Sequence, residues 1–325
     1  MNKLMAAAVV STATAFGATF STAQSVEPPS PVMSASSQVG GSLYVTYVAA
    51  WISVVQDAID GLTISQEPGG SSQNIILVST GETDFGITAS SQAYLGYNGL
   101  GWAEEQYRNF VGLHPAYPTF MTVFTLADSG IETLDDLNGV DFAVGTPGGG
   151  SDVISRELTS YLGIEPGRFV NASWEETGGL LRDGLVDAVL YIAGHPAGFI
   201  SEIEVNREVR FLTMSDDQIS GFLDAYPYYA PVSLSADIYS GLSEDFNTVG
   251  QMNFIIGSPE LPNDFVVAIL DAVYGNTDRL VAAHPDFAQT VFANVRGMPT
   301  PIHPAAVAYY EERGVEMRRA PPPSQ

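Results

Sequence analysis

Twice along this chain a short apolar run ends in a glycine-rich turn carrying a serine, and a helical pattern follows at once. The two places are Val39-Gly40-Gly41-Ser42 and Gly148-Gly149-Gly150-Ser151. Strand, tight turn, helix is the building block of an open α/β sheet. It sets backbone N–H groups and the positive end of a helix dipole at the carboxyl end of a strand, where an anion can sit. A chain that repeats the device has two such places to bring together.

The first repeat opens on a weak strand at residues 33–36. Tyr44, Val48, Trp51, Ile52, Val55 and Ile59 then recur at helical spacing, with Gly61 as the expected C-cap. "LTISQEP" reads as a strand. "GGSSQN" leads into a second helix, expected to be capped by Ser71 or Ser72 and closed by Gly81. "DFGITA" (84–89) is a third strand, ending in Ser90-Ser91-Gln92. "FVGLH" and "TFMTVFT" read as two further strands. The second repeat starts from "VDFAVG". It continues through a helix from Ser151 to about Leu162, strand "RFVNA", a helix around Glu175 to Arg182, and strand "VDAVLYIAG" (186–194). In the last third, "YYAPVSL" and "NFIIGS" read as strands. Pro262 is expected at the first position of a helix, and "HPAAVAYYEERG" closes the chain as another. Two β-α-β-α-β units imply two lobes facing one cleft, since ligands of open α/β sheets bind beyond the strand ends. "TFMTVFT" and the region near "YPYYAPVSL" are the expected crossings.

Met1-Asn2-Lys3 and the uncharged run that follows read as a secretory signal peptide over residues 1–23, cut after Ala23. Without it eleven arginines remain against 37 acidic residues, a formal charge of −26, one below the −25 of the whole chain because Lys3 is the one lysine. Nucleic-acid binding needs the opposite sign. The chain has no cysteine, so disulfides and thiol chemistry are excluded. Its four histidines, His114, His195, His284 and His303, each precede proline and show no metal-ligand spacing. No metal or cofactor is expected. A phosphate loop of the G-x-x-x-x-G-K-[ST] kind is excluded for want of a lysine, and Asp152 at the start of the second-repeat helix would repel a phosphate.

Eight segments in order resemble the TAXI-type solute receptors of TRAP transporters. They are "GGSLY" (40–44), "EPGGSSQNI" (67–75), "TGETDFGITASS" (80–91), "ADSGIETLDDLNG" (127–139), "VGTPGGGS" (144–151), "LLRDGLVDAVLYIAGHP" (180–196), "AYPYYAP" (225–231) and "GMPTPIHPAAVAYY" (297–310). The resemblance implies an α/β, type II periplasmic binding-protein fold, with the ligand cleft between two lobes. Lobe I would comprise 24–124 and 227–325, and lobe II 125–226. It implies no catalysis, a periplasmic location, a monomer that does not span the membrane, and delivery of a small organic anion, such as glutamate or a dicarboxylate, to TRAP membrane permease subunits. Carried over by position, the ligand site takes Gly40, Gly41, Ser42 and Tyr44, then Ser90, then Thr146, Gly149, Gly150 and Ser151, with Tyr191 and Gly194 at a strand end facing the same cleft. Family members often have Gln-Ser-Asp after the third strand; here Ala89-Ser90-Ser91 stands there, which alters the head group the loop reads.

On residue chemistry alone, Ser42 and Ser151 are expected to cap their helices as well as offer a hydroxyl. Tyr44 falls on an apolar helix stripe and could equally be core. Arg156, one turn into its helix, is the cation nearest the loops. The Tyr226-Pro227-Tyr228-Tyr229 aromatics are expected between the lobes. Two other classes fit the same residues: a binding protein of an ATP-driven importer or sensor, and a secreted hydrolase using Ser42 or Ser151 with His195.

Overall fold

The computed structural model describes residues 26–38 and 42–317, so the signal segment 1–23 lies outside the described residues. The first repeat is as expected: β1 (Val32–Ser36), α1 (Leu43–Ala58), β2 (Thr63–Glu67), α2 (Ser71–Thr80) and β3 (Phe85–Ala89), with β1 parallel to both β2 and β3. α1 buries Tyr47, Val48, Trp51, Ile52, Val54 and Val55, the stripe that its spacing demands. It stops earlier than expected. Ile59 is the C-cap, because its own N–H already bonds to the carbonyl of Val55, and Gly61 falls in the turn beyond. α2 is not capped by Ser71 or Ser72. Gly70 is its N-cap, and the Gly70 N–H is held by Asn74 Oδ1 at 3.1 Å. Ser90 opens a helix that the pattern did not foretell, α3 (Ser90–Asn98). Its sequence, Ser-Ser-Gln-Ala-Tyr-Leu-Gly-Tyr-Asn, carries too few apolar residues to show a period.

"FVGLH" and "TFMTVFT" prove to be one 16-residue strand, β4 (Val111–Leu126). Pro115 and Pro118 interrupt its pattern and hid its continuity. The second repeat supplies β5 (Asp141–Ala143), α4 (Gly150–Leu162), β6 (Arg168–Val170), α5 (Trp174–Arg182) and β7 (Ala188–Ala193), with β5 parallel to β6 and β7. Three unexpected elements follow: α6 (Gly198–Asn206), β8 (Val209–Phe211) and α7 (Asp216–Ala225). α7 has a readable start, a capping box between Ser215 and Gln218.

β9 (Ala230–Leu234) is not the return crossing. It pairs with only the first part of β10 (Phe246–Gly257), through Phe246–Gly250. β10 itself runs on to pair with β3 through Asn253–Gly257. α8 (Asn263–Gly275), α9 (Thr277–Ala283) and α10 (Pro304–Glu312) complete the chain; Pro262 is the N-cap of α8 rather than its first helical residue.

All ten strands form one mixed sheet, ordered β2-β1-β3-β10-β4-β7-β5-β6, with β8 and β9 beside β4 and β10. Its core is divided. Trp51, Phe85, Phe265 and Tyr310 belong to one apolar cluster, around α1, α8 and α10. Phe142, Ile154 and Phe222 belong to a second, and Phe124, Val189 and Ile200 to a third, both built on the second repeat. β4 contributes to all three, and β10 to each of them as well: Phe246, Val249 and Ile255 fall one in each. The fold is therefore α/β and two-lobed, with β4 and β10 crossing between the lobes as an antiparallel pair.

His114, midway along β4, is fully buried among Tyr47, Trp51 and Tyr274. Burial pushes its imidazole down to about 4. The unfolded chain takes up a proton near pH 6.5 and the folded chain does not until about pH 4, so stability drains away as pH falls through that window. His114→Leu should lose less melting temperature than wild type between pH 7 and pH 4.5. Parallel losses in paired thermal melts would show that His114 is not held neutral by the fold.

Candidate functional site between the lobes

The start of α1 is set by Ser42, whose hydroxyl accepts the Tyr44 N–H at 3.2 Å and donates to Gln38 Oε1 at 2.5 Å. The expected capping role is met. Gly40 and Gly41 lie outside the described residues. Tyr44 does not simply join the core. Its hydroxyl donates to Asn253 Oδ1 at 2.7 Å and stands 2.8 Å from Ser71 Oγ, which in turn accepts the Ala89 N–H at 3.3 Å. Asn253 Nδ2 donates to the Tyr117 carbonyl. The beginnings of α1, α2 and α3 are thus gathered onto β10. Burial pushes the Tyr44 phenol up, so it remains a hydroxyl donor at any ordinary pH.

At the start of α3, the buried Ser90 hydroxyl donates to the Tyr228 carbonyl at 2.8 Å, which ties this helix to the tyrosine segment before β9. Ser91 Oγ donates to Gln251 Oε1 at 2.5 Å. Gln92 Oε1 accepts from Ser72, while its Nε2 is buried with no hydrogen-bond partner among the described residues. Gln251 also reaches the second lobe. A Cβ placed on Gly150 would stand 3.7 Å from Gln251 Nε2 and 3.5 Å from Ile192. One side chain of β10 therefore bonds to the α3 start and lies close to the α4 start.

The loop before α4 rests on an indole. Gly145 has φ +75°, and a Cβ there would lie 2.5 Å from the Trp174 ring, so only glycine fits. Asn171 Nδ2 holds the Gly145 carbonyl at 2.9 Å. Thr146 is exposed, and its carbonyl accepts the Gly149 N–H at 3.0 Å. Asp152 turns back on the loop, accepting the Gly148 N–H at 2.9 Å through Oδ2 and Arg156 at 2.8 Å through Oδ1. Burial pushes the Asp152 carboxyl up, but the Gly148 N–H and the Arg156 guanidinium together hold it below the usual carboxylate range. Arg156 is 53% exposed and lies over the Phe169 ring, so it is occupied away from the loop.

Ser151 does not cap α4. The helix begins from Gly149 with no side-chain cap. As the second helical residue, Ser151 instead faces β7, where its hydroxyl accepts the Ile192 N–H at 3.0 Å. Tyr191, 8% exposed, sets its ring edge-on to Trp174 at 4.7 Å and to His195 at 5.4 Å. Gly194 is one place where the two repeats come close. A Cβ there would lie 2.9 Å from Leu43 at the start of α1 and 2.5 Å from Asp286 Oδ2.

Sequence reading missed Ser71, Gln92, Gln251, Asn253 and Asp286. For two of them a signal existed: Gln251 and Asn253 are polar residues two apart in the otherwise apolar "VGQMNFIIG", and so share one face of a strand. His195 Nδ1 lies 2.7 Å from Tyr239 Oη and its Nε2 faces the Phe120 carbonyl. Neither Ser42 nor Ser151 is among its partners. Among the described residues there is no group of three or more acidic or histidine side chains placed to hold a metal, and no helix long and apolar enough to cross a membrane.

Two α/β lobes whose helix starts face each other across a pair of crossing strands have the architecture of the periplasmic solute-binding proteins. Solved structures of that class share the fold. MatC from Rhodopseudomonas palustris, with bound malate, matches with a TM-score of 0.53 at 10% identity, over 86% of this chain and 98% of MatC. A TctC solute-binding protein from Polaromonas matches with a TM-score of 0.52 at 13% identity, over 87% of this chain and 98% of its own. The periplasmic binding protein BugD matches at 0.50 and 14%, over 88% and 99%. At these identities the likeness is one of fold. The model of the NMT1-like family matches residues 35–314, and the chain belongs to that family.

Tyr44→Phe removes the donor to Asn253 Oδ1 and the acceptor for Ser71. It should lower stability by about 1 kcal/mol, read as the shift in urea midpoint at unchanged m. An unchanged midpoint would mean that Tyr44 does not hold the three helix starts together.

Proposed function

We propose that this chain is the extracytoplasmic receptor of a TRAP-type transporter, of the TAXI kind. It captures a small organic anion, a glutamate-like amino acid or a dicarboxylate, between its lobes and delivers it to an ion-gradient-driven membrane permease. The reaction is binding with a conformational switch, without a bond made or broken. The observation that carries this reading is the meeting of helix starts from both repeats at Gln251, through Ser91 on one side and Gly150 on the other. An anion placed there faces N–H donors and positive dipole ends from two directions. Ser42, Tyr44, Ser90, Thr146, Gly149, Gly150, Ser151, Tyr191 and Gly194 are its proposed residues, together with Gly40 and Gly41, which precede Ser42 in the sequence. The engagement of His195 by Tyr239 and Phe120 favours capture over hydrolysis at either serine.

The test is a thermal-shift panel of glutamate, glutamine, 2-oxoglutarate, succinate and aromatic acids. A ligand present at 100 times its Kd stabilises by about 2.7 kcal/mol, a readable rise in melting temperature. Gly150→Asp is the matching variant. There is room for its Cβ, and an acid in the first turn suits the unliganded helix, so the free protein should melt at or above the wild-type temperature. The ligand-induced rise should vanish, because a carboxylate then occupies the dipole end. Persistence of the rise would place the site elsewhere.

A further inference from the structure

Asp286 sits in the first turn of the 3-10 segment Pro285–Gln289, beside Phe287, whose ring packs against Tyr117 at 5.2 Å. First-turn acids commonly cap their own segment, but here the ring of His284 does so: its Nδ1 accepts the Asp286 N–H at 3.2 Å. The carboxylate is left over. Its side chain is 17% exposed, and its Oδ2 is closed off from solvent with no hydrogen-bond partner among the described residues. It points across the cleft at the strand end of β7, where Gly194 leaves room that any Cβ would fill. The charged groups around it are few. His284 Nδ1 lies 3.8 Å away, and no arginine among the described residues pairs with it. Around it stand phenols: its charge adds to the burial that pushes the Tyr117, Tyr191 and Tyr239 hydroxyls up. Burial pushes the Asp286 carboxyl up, and the His284 ring and the backbone N–H of His195, on the opposite lobe, draw it part of the way back. A carboxylate shut away from water is costly unless a donor meets it, and the cation the fold sets beside it is the His284 ring, charged only when protonated.

We propose that Asp286 is a specificity-determining residue of the cleft, whose Oδ2 accepts an N–H from a protonated amine of the ligand. The ligand then pairs a carboxylate with a cationic nitrogen. This rests on the solute-capture reading and sharpens it. The carboxylate lies toward the helix starts around Gly150 and Ser91, and the ammonium lies toward Asp286 and the tyrosines, whose ring faces also attract cations. A plain dicarboxylate would set a second negative charge against an acid whose one nearby partner is the His284 ring at 3.8 Å.

The test is isothermal titration of wild type and Asp286→Asn with acids matched in skeleton, with and without the amine: glutamate and glutarate, 4-aminobutyrate and butyrate, proline and cyclopentanecarboxylate. In wild type at least one amine-bearing member should bind about 10- to 100-fold tighter than its partner, the range of a charge-assisted hydrogen bond. In Asp286→Asn that ratio should fall toward one. Equal binding of both members by wild type, or an undiminished ratio in the variant, overturns the role of Asp286 and leaves anion capture standing. If no carboxylate of either series binds wild type, the capture reading fails and this proposal falls with it. Should the variant not fold, the wild-type ratio decides alone.

Discussion

Everything in this molecule hangs on the antiparallel pairing of β4 with β10. The two strands are the shared edge of both lobes, and each threads through their separate apolar clusters. Without that pairing the two β-α-β-α-β units would be independent sheets. With it, the strand ends of both repeats turn toward a common space, floored by the polar residues of β10. The ladder is also imperfect. One register shift falls between Met252 and Phe254, opposite Pro118 and Pro115, and a second between Ile255 and Ile256, opposite His114 and Gly112. Proline gives no N–H to a ladder, and a bulge increases local twist and bend. The joint between the lobes is thus weakest in hydrogen bonds next to the residues that line the cleft.

The electrostatics of the cleft follow from a shortage of cations. Beyond residue 23, eleven arginines serve 37 acidic residues, and those of the second repeat are spent on ion pairs such as Arg156 with Asp152 and Arg168 with Asp141. An anion site in such a chain has to be made from backbone donors, hydroxyls and amides. Glycine-rich turns do this because they let backbone approach closely. They also need shaping, and Trp174 under Gly145 and Asp152 behind Gly148 give the second-repeat loop its form. The internal carboxylate of Asp152 answers one of the loop's own donors, the Gly148 N–H.

How much of this was legible depended on whether a residue's role is local. The strand–turn–helix repeats were readable, because period and turn chemistry are local properties: α1, α4 and β3 stand where the pattern put them. So was the capping role of Ser42. α6 and α7 escaped because each buries only two residues, too narrow a stripe to mark the sequence, and α3 escaped because the face it buries is mostly small or polar. The cap expected at Ser151 lies two positions earlier, at Gly149, which is enough to turn a helix cap into a brace on β7. Asp286 carries no local mark at all. In "HPDFAQ" it looks like any first-turn acid, and its place in the cleft comes from the chain's return through β10 and α8, a distance that no window can span.

The same reasoning explains why Gly194 matters more than a strand end should. Ser42, Tyr44 and Leu43 belong to the first helix, Gly194 and His195 to the opposite lobe, and Asp286 to a segment that packs behind α1. A Cβ at position 194 would crowd the ends of the Leu43 and Asp286 side chains and turn them aside. Glycine lets the lobes meet there with the carboxylate facing inward. Meeting closely costs the acid its water, and an acid so placed gains most from a ligand that brings its own N–H. Lobe contact and ligand charge are in this way linked through one glycine: the closer the approach it permits, the more strongly the buried oxygen favours a cationic nitrogen over a second carboxylate.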